Sequence, residues 1–353
     1  GLLGTASEAE VTALSADTRR SVRLAAVLVL RRMKSPQVAE YLSDADPLIV
    51  LEAARAIHDM PIPDAMPTLA GLIHSPTRDE ALLRRVLNAN YRMGGAEQAT
   101  AVASVLRADV PDVIKREAID MLGHWETPSN RDRVLGMWRP LESRSADPAR
   151  EAIRQVLLNG DAVAAASTDV KADLIELAAN LGLKEIVTSV RQSIGNSEFD
   201  PTQRANMLSS LVALDGSMAI GDVTNSLQDA SAVVRSRARE LLLELDPKRG
   251  VKELRGVLTD GQTIERQSAW AALSSMGEAE DTGVRTVLKE LDLESVPADT
   301  RLDVVEAARR LGMDEVAARM LQPLQDLPYG ERHLTVLGGD PARGEEIFRN
   351  NVA

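Results

Sequence analysis

Apolar residues recur along this chain at intervals of three and four for about a dozen positions, stop at a polar turn, and begin again. That spacing places them on one face of an amphipathic helix. The segments "PTQRANMLSSLVALDG", "DASAVVRSRARELLLEL" and "DGQTIERQSAWAALSSMG" share one such pattern, and Arg204, Arg235 and Arg266 fall 31 residues apart within it. Extending the register gives equivalent positions at Arg23, Val50, Leu83, Lys115, Ala149, Lys171, Arg204, Arg235, Arg266 and Arg301. The pattern predicts about ten repeats, each a first helix such as "AMPTLAGLIHS" or "GVKELRGVLTD", a turn, and a second helix with Ala near its middle. The turns "SDADP", "RADVPD", "SADPAR", "EFDPTQ" and "SVPADT" set Asp or Ser ahead of a helix and Pro near its first turn. The spacing predicts an all-α fold, an α-solenoid of about ten stacked helical hairpins over residues 1–326.

The register is uneven twice. Between Ala149 and Lys171 the interval falls to 22, leaving "NGDAVAAASTDV" room for only a vestigial first helix and predicting an irregularity near 160–170. Between Arg266 and Arg301 it rises to 35, with "LDLESVPADT" absorbing the excess in a loop.

Six residues before the register position stands an Asp in five repeats: Asp17, Asp44, Asp109, Asp229 and Asp260. Four of the five, Val50 being the exception, have a cation at the register position, giving Asp17/Arg23, Asp109/Lys115, Asp229/Arg235 and Asp260/Arg266. The arrangement resembles the Asp/Arg ladder of HEAT repeats, in which a turn carboxylate reaches the Arg of a stacked neighbour. The resemblance implies a right-handed solenoid and a structural ladder that fixes register between layers rather than a catalytic site.

Composition narrows the function. Aromatic residues are only 2% of the chain, which suits thin helix layers packed with small side chains. The net charge of −12 opposes binding along a phosphate backbone, so nucleic acid is not the expected partner. The longest apolar run, Leu24 to Leu30, is far short of the roughly 18 residues a membrane span needs. With no cysteine there is neither a disulfide, nor a thiolate metal site, nor a Cys nucleophile. The four histidines, His58, His74, His124 and His333, form neither HxxxH nor HExxH, so no metal site is expected; His58 and His74 read as helix-end residues bonding the last carbonyls. Asp281-Thr282-Gly283 stands alone, without the strand flanks and second copy of an aspartic-protease pair, and reads as a helix N-cap. Asp44-Ala45-Asp46 runs into Pro47 and reads as a capped turn rather than a calcium loop. No catalytic residue is assigned. Trp125, Trp138 and Trp270 are the candidate partner anchors, with core packing as the other reading.

The chain closes on "GGDPARGEEIFRNNVA", a different kind of segment. Gly-Gly-Asp-Pro breaks the helical pattern, residues 327–340 read as a linker, and Pro341 opens a helix with Gly344 and Phe348 on one face. Residues 341–353 resemble the start of a class I cytochrome c domain, where a Gly and an aromatic at that spacing let the first helix cross the last. Together with the repeats, this junction resembles the large multidomain c-type cytochromes of planctomycetes and verrucomicrobia, in which a dehydrogenase-like β-propeller precedes HEAT repeats and a cytochrome c domain follows. The resemblance implies a periplasmic, non-catalytic scaffold that positions a downstream haem c domain, in a full-length protein that includes a dehydrogenase. The haem-attaching CxxCH, the axial Met region and the propeller are missing from this chain, so neither haem binding nor dehydrogenase chemistry is assigned to it. Residue 1 is Gly, as expected of a processed protein or an excised segment. Two other readings stay open: a free-standing interaction module whose acidic concave surface selects a basic partner, and a HEAT-fold lyase or glycosylase, which the net acidity disfavours in its glycosylase form.

Overall fold

Asp, Ser and Pro set the helix starts. In the computed structural model, Asp46 caps helix α3 through the Leu48 amide with Pro47 as the first helical residue. Asp200 does the same for the helix opening at Pro201 and forms a reciprocal box with Gln203. The structure describes residues 7–75, 77–158, 166–276, 283–326, 330–335, 345, 348 and 349. All regular elements among them are helical. They fall into two compact units, Gly1–Ile186 and Val187–Ala353.

In the first unit the α-helices are α1 (Glu8–Thr12), α2 (Arg20–Met33), α3 (Pro47–Asp59), α4 (Met66–Gly71), α5 (Glu80–Met93), α6 (Ala96–Ser104), α7 (Asp112–Gly123), α8 (Asp147–Leu158) and α9 (Thr168–Asn180). The longer helices α2, α3, α5, α7 and α9 stack in sequence as one row. A second row is formed by the shorter, 3₁₀-rich segments, including Pro36–Ser43 and the Pro63–His74 run, together with α6 and α8. The second unit holds α10 (Val187–Ile194), α11 (Pro201–Asp215), α12 (Ile220–Ser226), α13 (Ala232–Leu245), α14 (Pro247–Arg255), α15 (Thr263–Ser275), α16 (Val284–Glu290), α17 (Arg301–Arg310) and α18 (Asp314–Leu321). There α11, α13, α15 and α17 form the row of longer helices.

One register assignment changes. The periodicity makes Ala149 a long-row position, but α8 packs on α6 in the short row, and α7 has α9 as its long-row neighbour. Lys115 and Lys171 are therefore consecutive long-row positions. The residues between α7 and α8, 124–146, are an insertion without helix. The capped start of α8 and its apolar face imitate those of a long-row helix, which is why the period absorbed it. The expected vestigial helix falls largely on residues 159–165, outside the described residues.

The mid-helix alanines do what small residues allow. Ala26, Ala54, Ala89, Ala118, Ala205, Ala238, Ala269 and Ala308 are all buried, letting neighbouring layers close on one another. The tightest approach is at Gly250, where an added Cβ would stand 2.3 Å from the Leu243 Cα, at the α13/α14 hairpin. Backbone cannot yield as a side-chain tip can. Gly250→Ala is expected to cost about 1–3 kcal/mol by overpacking, read as a lower urea midpoint; an unchanged midpoint would show that the hairpin opens freely.

Candidate interaction surface

The register arginines Arg23, Arg235 and Arg266 each bridge two turns. The Arg23 guanidinium donates to the carbonyls of Asp17 (2.9 Å) and Thr18 (3.3 Å) in its own turn, and to the Asp44 carboxylate (2.7 and 3.2 Å) in the next. Arg235 repeats this with the carbonyls of Asp229 and Ala230 (2.8 and 3.0 Å) and with Glu265 (2.9 Å twice). Arg266 bonds the Gly261 carbonyl, Asp299 (2.7 and 2.9 Å) and the Thr300 hydroxyl (2.9 Å). Arg204 pairs with Asp229 of the following turn. Asp229 thus serves its own Arg235 through its carbonyl oxygen and the preceding repeat's Arg204 through its carboxylate; Asp17 does only the first, for Arg23, and Asp44 only the second.

Several expected rungs are occupied differently. The Asp17 carboxylate pairs with Arg19, and Asp109 pairs with Arg78 because register position 83 is a Leu. Lys115 and Asp260 make no ion pair among the described residues. Asp260 is bypassed because Arg235 reaches Glu265, in the first turn of α15, instead.

The 124–146 insertion was not foreseen as a unit, and it is the most elaborate polar construction in the first unit. Its arginines close helix ends. Arg139 donates to the carbonyls of His58 (3.0 Å) and Asp59 (2.6 Å) at the end of α3. Arg144 donates to Tyr91 O (2.7 Å) near the end of α5 and to Trp125 O (2.8 Å) just beyond α7. A cation at a helix C-terminus satisfies orphan carbonyls and meets the negative end of the dipole. The Arg144 guanidinium also lies 3.9 Å from the Trp125 ring centroid and 4.8 Å from that of Tyr91, and the two rings meet edge to face at 5.6 Å. Gly94, at φ +69°, makes room: a Cβ there would stand 2.6 Å from the Arg144 Nη1.

Beneath the insertion Asp132 is buried. Its Oδ1 accepts the amides of Val134 and Leu135 (3.0 Å each), and its Oδ2 accepts Asn88 Nδ2 (3.0 Å). His58, Arg92 and Arg139 stand 3.6, 3.6 and 3.8 Å from the same oxygen. Burial pushes the Asp132 carboxyl up, but the Leu135 and Val134 amides, with the Arg92 charge beside it, hold it below the usual carboxylate range. His58 sits between Asp59 Oδ1 (2.9 Å from Nδ1) and Asn88 Nδ2 (2.8 Å from Nε2). Because Asn88 can only donate there, Nε2 accepts and Nδ1–H donates to Asp59. Burial raises Asp59 but the bonds from His58 and Arg85 win, bringing it to about 2. The expectation that His58 bonds the last carbonyls of its helix is corrected: Arg139 takes them. A His–Asp pair can serve as a base, but the His58 side chain has 0% exposure, so the pair fastens the insertion and cannot meet a substrate.

Beside the insertion lies an open groove of about 770 Å³ between α7 and α9. Six carboxylates line it, Asp112, Glu117, Asp120, Asp169, Asp173 and Glu176, against Arg116 and His124. Glu117 is paired with Arg84 (3.2 Å) and Asp173 with Arg116 (2.6 Å), while Asp120 meets Arg133 of the insertion. Asp112 and Glu176 make no ion pair among the described residues. Burial raises the Glu117 carboxyl, with Asp120 adding to the effect. Val113, Ile119 and Leu177 supply an apolar lining.

Of the tryptophans proposed as anchors, Trp125 and Trp270 are 1% exposed and belong to the core, while Trp138 is 67% exposed on the insertion. At the C-terminus Phe348 is 69% exposed; Gly344 lies outside the described residues, as do Asp281 and Thr282. Among the described residues no group of His, Asp and Glu is arranged to hold a metal, and no helix is long and apolar enough to cross a membrane.

Stacked two-helix layers tied by an internal Arg/carboxylate ladder define the class: an α-solenoid of HEAT-like repeats. No family model matches the chain, and no curated protein matches it. Among solved structures it is similar to an engineered protein (16% identity, 93% of this chain and 96% of that one, TM-score 0.39) and to human deoxyhypusine hydroxylase in complex with glycerol (14% identity, 81% and 98%, TM-score 0.28). Likenesses of this size carry nothing about function to this chain.

Proposed function

We propose that this chain is a protein-interaction scaffold whose groove between α7 and α9 takes a basic segment of a partner protein. The observation that carries the reading is the lining: six carboxylates against one Arg and one His, two of the acids without an ion pair, on a chain of net charge −12. Water-exposed acids facing each other across a groove repel, and a Lys/Arg-rich segment relieves that repulsion while its alkyl stems cover Val113 and Leu177. Affinity of this kind weakens as salt screens it. Titrating the protein with Lys/Arg-rich peptides by calorimetry is expected to show binding that falls steeply between about 50 and 300 mM salt. It should weaken about tenfold in Asp112→Asn/Glu176→Gln, the loss of two charge contacts of roughly 0.7 kcal/mol each. Absence of binding at low salt, or binding indifferent to salt, would remove the reading.

A second proposal rests on the "GGDPARGEEIF" junction alone: that the scaffold belongs to a periplasmic redox polypeptide and holds a haem c domain near its electron donor. This chain has no cysteine with which to attach haem c, so no redox step is assigned to its residues. Reading the coding frame beyond Ala353 tests it. A CxxCH within about ten codons supports the linkage and a stop codon ends it.

A further inference from the structure

The insertion presents something besides its anchors. Asn130 to Arg139 form a short antiparallel hairpin: Arg139 N–H donates to Asn130 O (2.9 Å), Asp132 N–H to Met137 O (2.8 Å), and Arg131 and Trp138 pair as a β-bridge. Gly136, at φ +66°, turns the tip, and its carbonyl accepts the Arg131 guanidinium (2.9 Å). Underneath, Asp132 and Arg139 are fixed in the buried network. On the opposite face Trp138, paired with Arg131, stands 67% exposed, and its neighbour Met137 is 55% exposed near the tip. Neither contributes to the core, unlike Trp125 and Trp270.

A rigid mount under a large exposed aromatic side chain is the arrangement of a binding hot spot. The backbone is already ordered, so docking costs little entropy there, and Trp and Met are both enriched at interface centres. The hairpin also abuts the groove, because Arg133 within it pairs with Asp120 of the groove wall and His124 of the wall begins the insertion. We infer that Trp138 anchors an apolar side chain of the same partner whose basic residues enter the groove, so that the ligand is a basic amphipathic segment rather than a merely cationic one. Charge complementarity selects the occupant: its cations face the carboxylates between α7 and α9, and its apolar residue lies on the hairpin tip. The inference rests on the basic-partner reading and adds a second, uncharged contact to it.

Two synthetic peptides of equal charge test it, one with Lys and Arg interspersed with Leu, the other with Ser in place of each Leu. In the free protein acrylamide should quench Trp138 and leave Trp125 and Trp270 as an unquenched background; Trp138→Phe identifies the quenchable fraction. The Leu peptide is expected to shield Trp138 from the quencher and to bind Trp138→Ala about tenfold or more weakly than wild type. The Ser peptide is expected to do neither. Because Trp138 is largely exposed, the substitution leaves the fold in place, and the shielding measurement needs no variant at all. If both peptides bind with the same salt dependence while Trp138 stays fully quenchable, the anchor is overturned and the acidic groove stands. If neither peptide binds at low salt, both readings fall.

Discussion

Replacing Asp132 by Asn is expected to release the 124–146 insertion and to lower stability by about 3 kcal/mol, the usual cost of breaking one member of a buried charged network. The substitution keeps the shape and alters one atom's chemistry. Oδ2 now accepts from Asn88 and faces Arg92 and Arg139. With the carbonyl of the new amide still accepting from Val134 and Leu135, an –NH₂ group would face those three donors. Donor would meet donor, and two partly buried guanidiniums would lose their nearest negative charge. Arg131, Arg133 and Arg144 lie in the insertion with no proline after them, so its release should appear as rapid trypsin cleavage after these three residues. Asp120→Asn is the control, because that pair is half exposed on its Asp side and should shift stability by less than about 1 kcal/mol. Trypsin rates equal to wild type in Asp132→Asn would mean that the arginine caps on α3 and α5 hold the insertion by themselves.

The pH dependence follows the same carboxylate. Its pKa is lowered in the fold, so its stabilisation is complete above the ordinary Asp value and is lost as pH falls through the lowered one. Acid should therefore loosen the insertion, and Asp59, held at about 2 under the same helix end, adds its own loss as pH falls from the ordinary Asp value towards 2.

The helical layers were legible in the sequence because their cause is periodic. Burial of one face repeats every three or four residues and every layer needs its own capped start, so Asp46-Pro47 and Asp200-Pro201 could be read directly as helix entries. The ladder was half legible. Arg23, Arg235 and Arg266 share one register because they reach back to the carbonyls of their own turns, but the carboxylate such an arginine meets can come from a turn, as Asp44 does, or from inside the next helix, as Glu265 does. Only the first kind recurs at fixed spacing. The insertion was hidden because its length restored the period: about 34 residues separate Lys115 from Ala149, close to one repeat. Its composition was the available sign, with Trp125, Trp138, Pro128, Pro140 and four arginines in a stretch lacking helical alternation. The network under it joins residues 30 to 81 positions apart, His58 with Asn88 and His58 with Arg139 among them, and no local pattern announces such pairs.

Glu265→Gln is expected to be the corresponding break in the second unit, costing about 3 kcal/mol at neutral pH. The side chain is only 4% exposed and is shared by two arginines: Oε1 accepts from Arg235 (2.9 Å) and Arg239 (2.7 Å), Oε2 from Arg235 (2.9 Å). It also accepts the Gln262 amide (3.1 Å) and so closes the start of its own helix. Burial raises its pKa, but Arg235, the Gln262 amide and Arg239 outweigh that and bring it to about 2. A carboxyl depressed from an ordinary value near 4.3 stabilises fully above that value and loses its contribution as pH falls towards 2. The wild type should therefore lead the variant by a constant margin above about pH 5, and the margin should narrow steadily below it. Hydrogen exchange over 232–245 and 263–275 is the suitable probe, since it reports the two helices the bridge joins without requiring the whole chain to unfold as one. A margin that persists unchanged from pH 5 to pH 2.5 would show that the two arginines are held by packing alone, and that the ladder sets the spacing of these layers without contributing to their stability.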